Sequence, residues 1–166
     1  QTYWPIDIAT NRNNSSFMST LESMNTRKEF ELHPQLQQDT YQLGQLALSR
    51  LLMVRDANYP WFILVPERSD ICEWFELDAS EQQQLLNESL LLSQALKSCF
   101  EPDKINMGAL GNIVPQLHVH HIARFRDDPA WPAPVWGAIA AKPYAGDSWQ
   151  QSAQKVCSYM GLEFKP

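Results

Sequence analysis

The alternation of apolar and polar positions resolves into segments with distinct periods. Between Pro34 and about Gly44, Leu36 and Leu43 stand among Gln and Asp, which predicts a short amphipathic helix, with a loop as the alternative. Leu48 to Val54 and Trp61 to Val65 are apolar runs of strand length. The turn formers Asp56, Asn58 and Pro60 separate them, so the pair reads as a hairpin. After a charged loop, Asp78 or Ser80 can cap a helix, with Glu81 or Gln83 three residues further on to complete a capping box. Leu85, Leu92, Leu96 and Cys99 then share one face, predicting a long helix over residues 80 to 99.

Beyond it, Lys104 to Met107, Gly108 to Pro115 and Gln116 to Arg124 read as strand, turn region and strand. Pro129, Pro132 and Pro134, interleaved with Trp131 and Trp136, exclude regular helix and central strand, because proline has no amide donor. They mark an ordered or ligand-facing loop. Trp149, Ala153, Val156 and Cys157 fall at helical spacing between Asp147 and about Met160, predicting a closing helix. These elements describe an α+β domain in which an antiparallel sheet of about five strands carries a long packed helix and a C-terminal helix.

Residues 1 to 24 are rich in Asn, Ser and Thr, show no sustained periodicity, and precede a second plausible start at Met24. They read as an extension, flexible or ordered on a neighbour, leaving residues 25 to 166 as one domain. A chain of 166 residues, 44% hydrophobic and 19% charged, has room for one substantial core and not for two ordinary domains.

Composition narrows the function classes. A net charge of -6 argues against long DNA or RNA, whose binders need surplus Lys and Arg to displace counterions. A small phosphorylated ligand stays open, since His, Asn and backbone amides can hold one phosphate locally. No apolar run reaches the roughly 18 to 20 residues that a membrane span needs, and no secretory signal opens the chain. Cys72, Cys99 and Cys157 lack paired spacing and read as packing residues in a reducing compartment. Both observations lead to the expectation of a cytoplasmic protein.

The candidate chemistry lies in one stretch. Gln116, His118 and His120 alternate with Leu117 and Val119, so in a strand the first three share one face. Like positions are roughly 6 to 7 Å apart, which lets two imidazoles address one phosphate-sized group. Three of the four His of the chain fall within His118, His120 and His121. A chance cluster on a polar strand is the plainer alternative.

At this point the chain resembles the histidine triad (HIT) superfamily, whose signature alternates three His with apolar residues after a turn carrying Gly and Asn or Gln. The stretch here reads Gly111-Asn112-Ile113-Val114-Pro115-Gln116-Leu117-His118-Val119-His120-His121-Ile122. Gln116 stands where the first His is expected, and His121 occupies the first apolar position after the triad. Upstream, Asp56 to Pro66 is similar to the family's Asp turn and Pro-ended strand, and Asn106 matches an Asn in the strand before the triad. The likeness covers about Leu48 to Arg124.

The resemblance implies a nucleotide phosphoramidase or dinucleoside polyphosphate hydrolase, with nucleotidyl transfer as a variant. His118 would attack the α-phosphorus and form a nucleotidyl-histidine that water cleaves. Its other nitrogen would donate to a backbone carbonyl nearby. His120 would contact phosphoryl oxygens or the leaving group. Gln116 would support the triad by hydrogen bonds, although it cannot titrate and would cut any proton relay. Asn112 would donate to the same oxygens, Asp56 would accept from ribose hydroxyls, and Asn106 would hold the phosphate end. The likeness further implies a homodimer with no required cofactor, a divalent metal on the substrate being admissible. The Trp131 to Trp136 loop is a candidate for closing the site.

Each role has a competitor. Asp56 is also an ordinary turn former, Asn112 could simply close a turn, and Asn106 could pair with backbone alone. His121 points to the apolar face and reads as a core or interface histidine; isolated His33 takes no role. Arg124 and Arg126 could meet phosphate or solvent. A catalytically weak HIT-like nucleotide binder is the second functional reading. A His-x-His metal-binding protein is the third, and it lacks an obvious third ligand.

Overall fold

The computed structural model describes residues 29–165, so the N-terminal extension expected over residues 1 to 24 lies outside the described residues. The architecture is α+β, as expected. Five strands, β1 (Thr40–Gln45), β2 (Ser49–Val54), β3 (Trp61–Pro66), β4 (Lys104–Gly108) and β5 (Val119–Arg124), form one antiparallel sheet in the order β1-β2-β3-β5-β4. The hairpin of β2 and β3 pairs Arg50 with Val65 through to Met53 with Phe62.

The segment from Pro34 to Gly44 corrects the sequence reading. Helix α1 (Pro34–Asp39) covers only its first half, and the chain then enters β1. His33, given no role above, caps this helix: its Nδ1 accepts from the Gln35 amide at 3.1 Å. One amphipathic helix cannot satisfy the two leucines, because Leu36 and Leu43 bury in clusters on opposite sides of the sheet. Thr40 ends the helix in extended conformation and pairs with Val54.

Helix α2 (Ala79–Phe100) has the expected cap. Asp78 Oδ1 accepts from the Glu81 amide at 2.9 Å, and the Glu81 carboxylate accepts in return from the Asp78 amide. Leu85, Leu92 and Leu96 are fully buried and meet Leu51, Met53, Phe62, Leu64 and Val119. Each such leucine contributes about 1.5 to 3 kcal/mol of burial. Helix α3 (Trp149–Tyr159) packs in the same layer through Ala153, Val156 and Cys157.

Both helices therefore cover one face of the sheet. The opposite face, presenting Leu52, Ile63, Val65 and Ile122, is covered by α1, Val114 and residues Ala130 and Val135 of the loop after β5. That loop is tied down by Arg124, which is almost completely buried. Its guanidinium donates to both Asp128 oxygens (2.7 and 3.0 Å), to Asn106 Oδ1 (2.7 Å) and to the Ala133 carbonyl (3.0 Å). The choice between phosphate and solvent for Arg124 is thus resolved in favour of neither.

Candidate functional site

The triad stretch enters the sheet later than its alternation predicts. β5 starts at Val119, opposite Leu64, and not at Gln116. Before that point the backbone bonds elsewhere, the Leu117 amide donating to the Ile71 carbonyl at 2.9 Å, and the Gln116 side chain is taken up by the backbone of a segment distant in sequence. Its Oε1 accepts from the His33 amide and its Nε2 donates to the Glu31 carbonyl, both at 2.9 Å. Gln116 thus straps the segment before α1 to the triad, and what it offers His118 is its carbonyl.

His118 and His120 still point to one face, with ring centroids 4.9 Å apart. They are 7% and 8% exposed, so each is a largely buried ring with a small open edge. His118 Nδ1 lies 2.7 Å from the Gln116 carbonyl. A carbonyl only accepts, so Nδ1 carries the proton and Nε2 keeps a lone pair. Burial holds the His118 pKa below its ordinary value, opposed by the Gln116 carbonyl and reinforced by His33. The imidazole is therefore neutral at pH 7. His120 is pushed further, to about 3, by burial first and then by His118 and His121.

His118 lines a cavity of about 650 Å³ on the side of the sheet away from α2 and α3. Asp39, Arg55 and Asp56 stand at one side, Gly111 and Asn112 from the turn before the triad at another, and Val135, Trp136 and Ile139 close a wall. The volume suits a drug-sized or nucleotide-sized molecule. The loop from Trp131 to Trp136 thus contributes a wall through Trp136, whereas Trp131 stacks on the Arg124 guanidinium at 5.7 Å.

Of the expected site residues, the cavity brings together His118, Asp56 and Asn112. Asp56 is buried, and its Oδ1 accepts from the Asn58 and Lys142 amides, each at 3.0 Å, so it forms the turn and also pins the chain arriving from the wall. His120 is not among the cavity residues; its ring stands beside that of His118, between the rings of Trp61 and Trp136. Asn106 is not among the cavity residues, and its Oδ1 accepts from Arg124, a partner the sequence reading did not consider. Gln116 faces a second cavity, bounded by residues such as Phe30, His33 and Arg50. His121 lies wholly buried on the helix face, with Nδ1 donating to the Val119 carbonyl and no partner for Nε2 among the described residues.

Trp61 escaped the sequence reading as a site residue, and Trp136, expected only as part of a closing loop, packs beside it. Trp61 donates its indole N–H to His120 Nδ1 at 2.9 Å, and Trp136 packs edge-on against both. Strand parity puts Trp61 on the face of Ile63, but only the register pairing Ile63 with His120 brings the indole to the imidazole.

The HIT domain family matches residues 35–127, more than half of the chain and including Asp56, Asn112, His118 and His120, while the wall formed by Val135, Trp136 and Ile139 lies beyond the match. The chain belongs to the HIT family. A histidine triad protein from Bradyrhizobium japonicum is 44% identical over 79% of this chain and 98% of its own, with a TM-score of 0.78. One from Sinorhizobium meliloti is 42% identical over 80% and 98% (TM-score 0.77), and one from Marinobacter aquaeolei 44% identical over 80% and 97% (TM-score 0.78). The comparison with curated proteins returned no match. Among the described residues, this HIT domain has no group of three or more His, Cys, Asp and Glu side chains placed to hold a metal ion. Nor, among them, is any helix long and apolar enough to cross a membrane.

Proposed function

We propose that the protein cleaves a nucleotidyl phosphate bond, as a nucleoside phosphoramidase or dinucleoside polyphosphate hydrolase, through a covalent intermediate on His118. The observation that carries this reading is the committed Nδ1 of His118, which leaves the Nε2 lone pair as the nucleophile of a cavity-lining imidazole. In the first step Nε2 bonds to the α-phosphorus, the bond to the leaving group breaks, and the leaving group departs with the electron pair and takes a proton from solvent. The ring becomes cationic, and its Nδ1–H bond to the Gln116 carbonyl strengthens as that charge forms. Water then attacks the same phosphorus and gives up a proton to solvent, the P–N bond breaks with its electron pair returning to Nε2, and neutral His118 and a nucleoside monophosphate remain.

His120 contributes a neutral donor to the phosphoryl oxygens in both steps. Asn112 adds an amide donor from the turn, and Asp56 accepts from the ribose. Gln116 supports the nucleophile through its carbonyl, and Asn106 acts only through Arg124 and the loop it anchors. No cofactor enters this scheme, and a divalent cation on the substrate phosphates is compatible with it.

Two further features complete the reading. The edge position of β4, whose Met107 is exposed, and the exposed Leu86 and Leu90 of α2 support a homodimer. Free thiols at Cys72, Cys99 and Cys157 suit the cytoplasm. The test is turnover of adenosine 5'-phosphoramidate by the protein and by His118→Ala. Loss of hydrolysis in the variant, at least about a thousandfold, supports a nucleophile there. Equal rates overturn it, and tight nucleotide binding without turnover in either protein assigns a binder.

A further inference from the structure

Trp61 sits at the start of β3 with its indole N–H 2.9 Å from His120 Nδ1 and its ring edge-on to the imidazole, centroids 5.5 Å apart. An indole nitrogen can only donate. The Nδ1 it meets must therefore hold a lone pair, and in neutral His120 the proton is on Nε2. A hydroxyl, amide or second imidazole in place of Trp61 could accept as well as donate, and would leave the tautomer open.

We propose that Trp61 is a positioning residue that holds His120 in its Nε2–H tautomer, so that His120 stands beside His118 as a permanent neutral donor. The two imidazoles then have opposite tautomers: His118 turns a lone pair to the reaction and His120 turns a proton. The kinetic part of this inference rests on the hydrolase reading, whereas the tautomer itself does not.

The surroundings reinforce the arrangement. On the sheet His120 is paired with Ile63 of β3 and Gly108 of β4, and Trp136 closes over it from the loop. Gly108 permits that closure, since a Cβ there would lie 3.2 Å from the Trp136 ring. The titratable groups acting on His120 are His118 on the same face and His121 on the opposite face of its own strand. Neither offers a carboxylate to stabilise an imidazolium. A proton arriving at Nδ1 would meet the indole N–H head-on, two donors facing each other, so charging His120 requires the Trp61 bond to break. Burial and the neighbouring His118 and His121 already hold its pKa down, to about 3, and the indole acts in the same direction.

Trp61→Phe keeps an aromatic ring and deletes the donor. Long-range proton–nitrogen NMR of the full chain is expected to show His120 as a single Nε2–H tautomer between about pH 5 and 8. In Trp61→Phe the tautomers should mix and His120 should titrate at higher pH. With a nucleoside phosphoramidate, kcat should drop by about 10- to 100-fold while KM stays within about twofold, as expected when an oriented donor is lost. A purely structural Trp61 would leave the His120 tautomer and its titration unmoved in the variant, which would overturn the proposal. So would an Nδ1–H tautomer in the unsubstituted protein, a result readable even if Trp61→Phe does not fold. Absence of turnover in both proteins, with the tautomer shift still present, counts against the hydrolase reading and for the positioning role.

Discussion

At the scale of single residues the chemistry depends on where two protons sit. His118 must be neutral to attack, and its pKa lies below 6.5 because burial outweighs the Gln116 carbonyl. A lowered pKa keeps the nucleophilic form present to lower pH, so kcat/KM should be flat through neutrality and decline only in acid, with a midpoint below 6.5. A pH–rate profile with its acid limb at or above that value would contradict the assignment. Gln116 separates side chain from backbone. Because only its carbonyl touches His118, Gln116→Ala should lower kcat by less than about tenfold, while losing two hydrogen bonds to the strap at about 1 to 2 kcal/mol in urea unfolding. Sequence spacing placed His118 and His120 on a common face because parity is local. It did not show that the Gln116 side chain is committed to the backbone of Glu31 and His33, because those partners lie 85 and 83 residues away.

At the scale of elements, legibility followed locality again. Helix α2 was readable because cap, capping box and apolar stripe are all written within its own residues. Asp78→Ala should accordingly cost about 1 kcal/mol in urea unfolding without altering the site. β1 was hidden, because the burial of Leu36 and Leu43 on opposite sides is a property of the sheet. The Arg124 and Asp128 pair was equally hidden, although its spacing of four and the parity of Arg124 with His120 were signals that a buried pair could lie there. Both side chains are buried, 1% and 3% exposed, so removing one strands the other. Asp128→Ala should cost about 3 to 5 kcal/mol and loosen the loop that walls the cavity, raising KM. A loss below about 1 kcal/mol would show that the pair does not organise the loop.

At the scale of the whole molecule, three buried neutral imidazoles, two within β5 and one just before it, make stability depend on pH. The folded pKa values of His120 and His121, about 3 and about 4, lie under the 6.5 of an exposed imidazole. Between those values the unfolded chain binds more protons than the folded one. Stability is therefore complete above 6.5 and is lost as pH falls toward 4. Thermal midpoints measured across this range should drop steadily, and His121→Leu should flatten part of the slope. Sedimentation is expected to give twice the chain mass; a monomer at micromolar concentration would remove the edge strand β4 and the leucines of α2 from consideration as an interface.

The most direct measurement is an acid-quenched reaction with a nucleoside phosphoramidate, followed by peptide mapping on a mass spectrometer under conditions that spare phosphorus–nitrogen bonds. A nucleotidyl group on the peptide bearing His118, absent from His118→Ala, is the expected result. The same adduct on another side chain, or undiminished hydrolysis by His118→Ala, would contradict it.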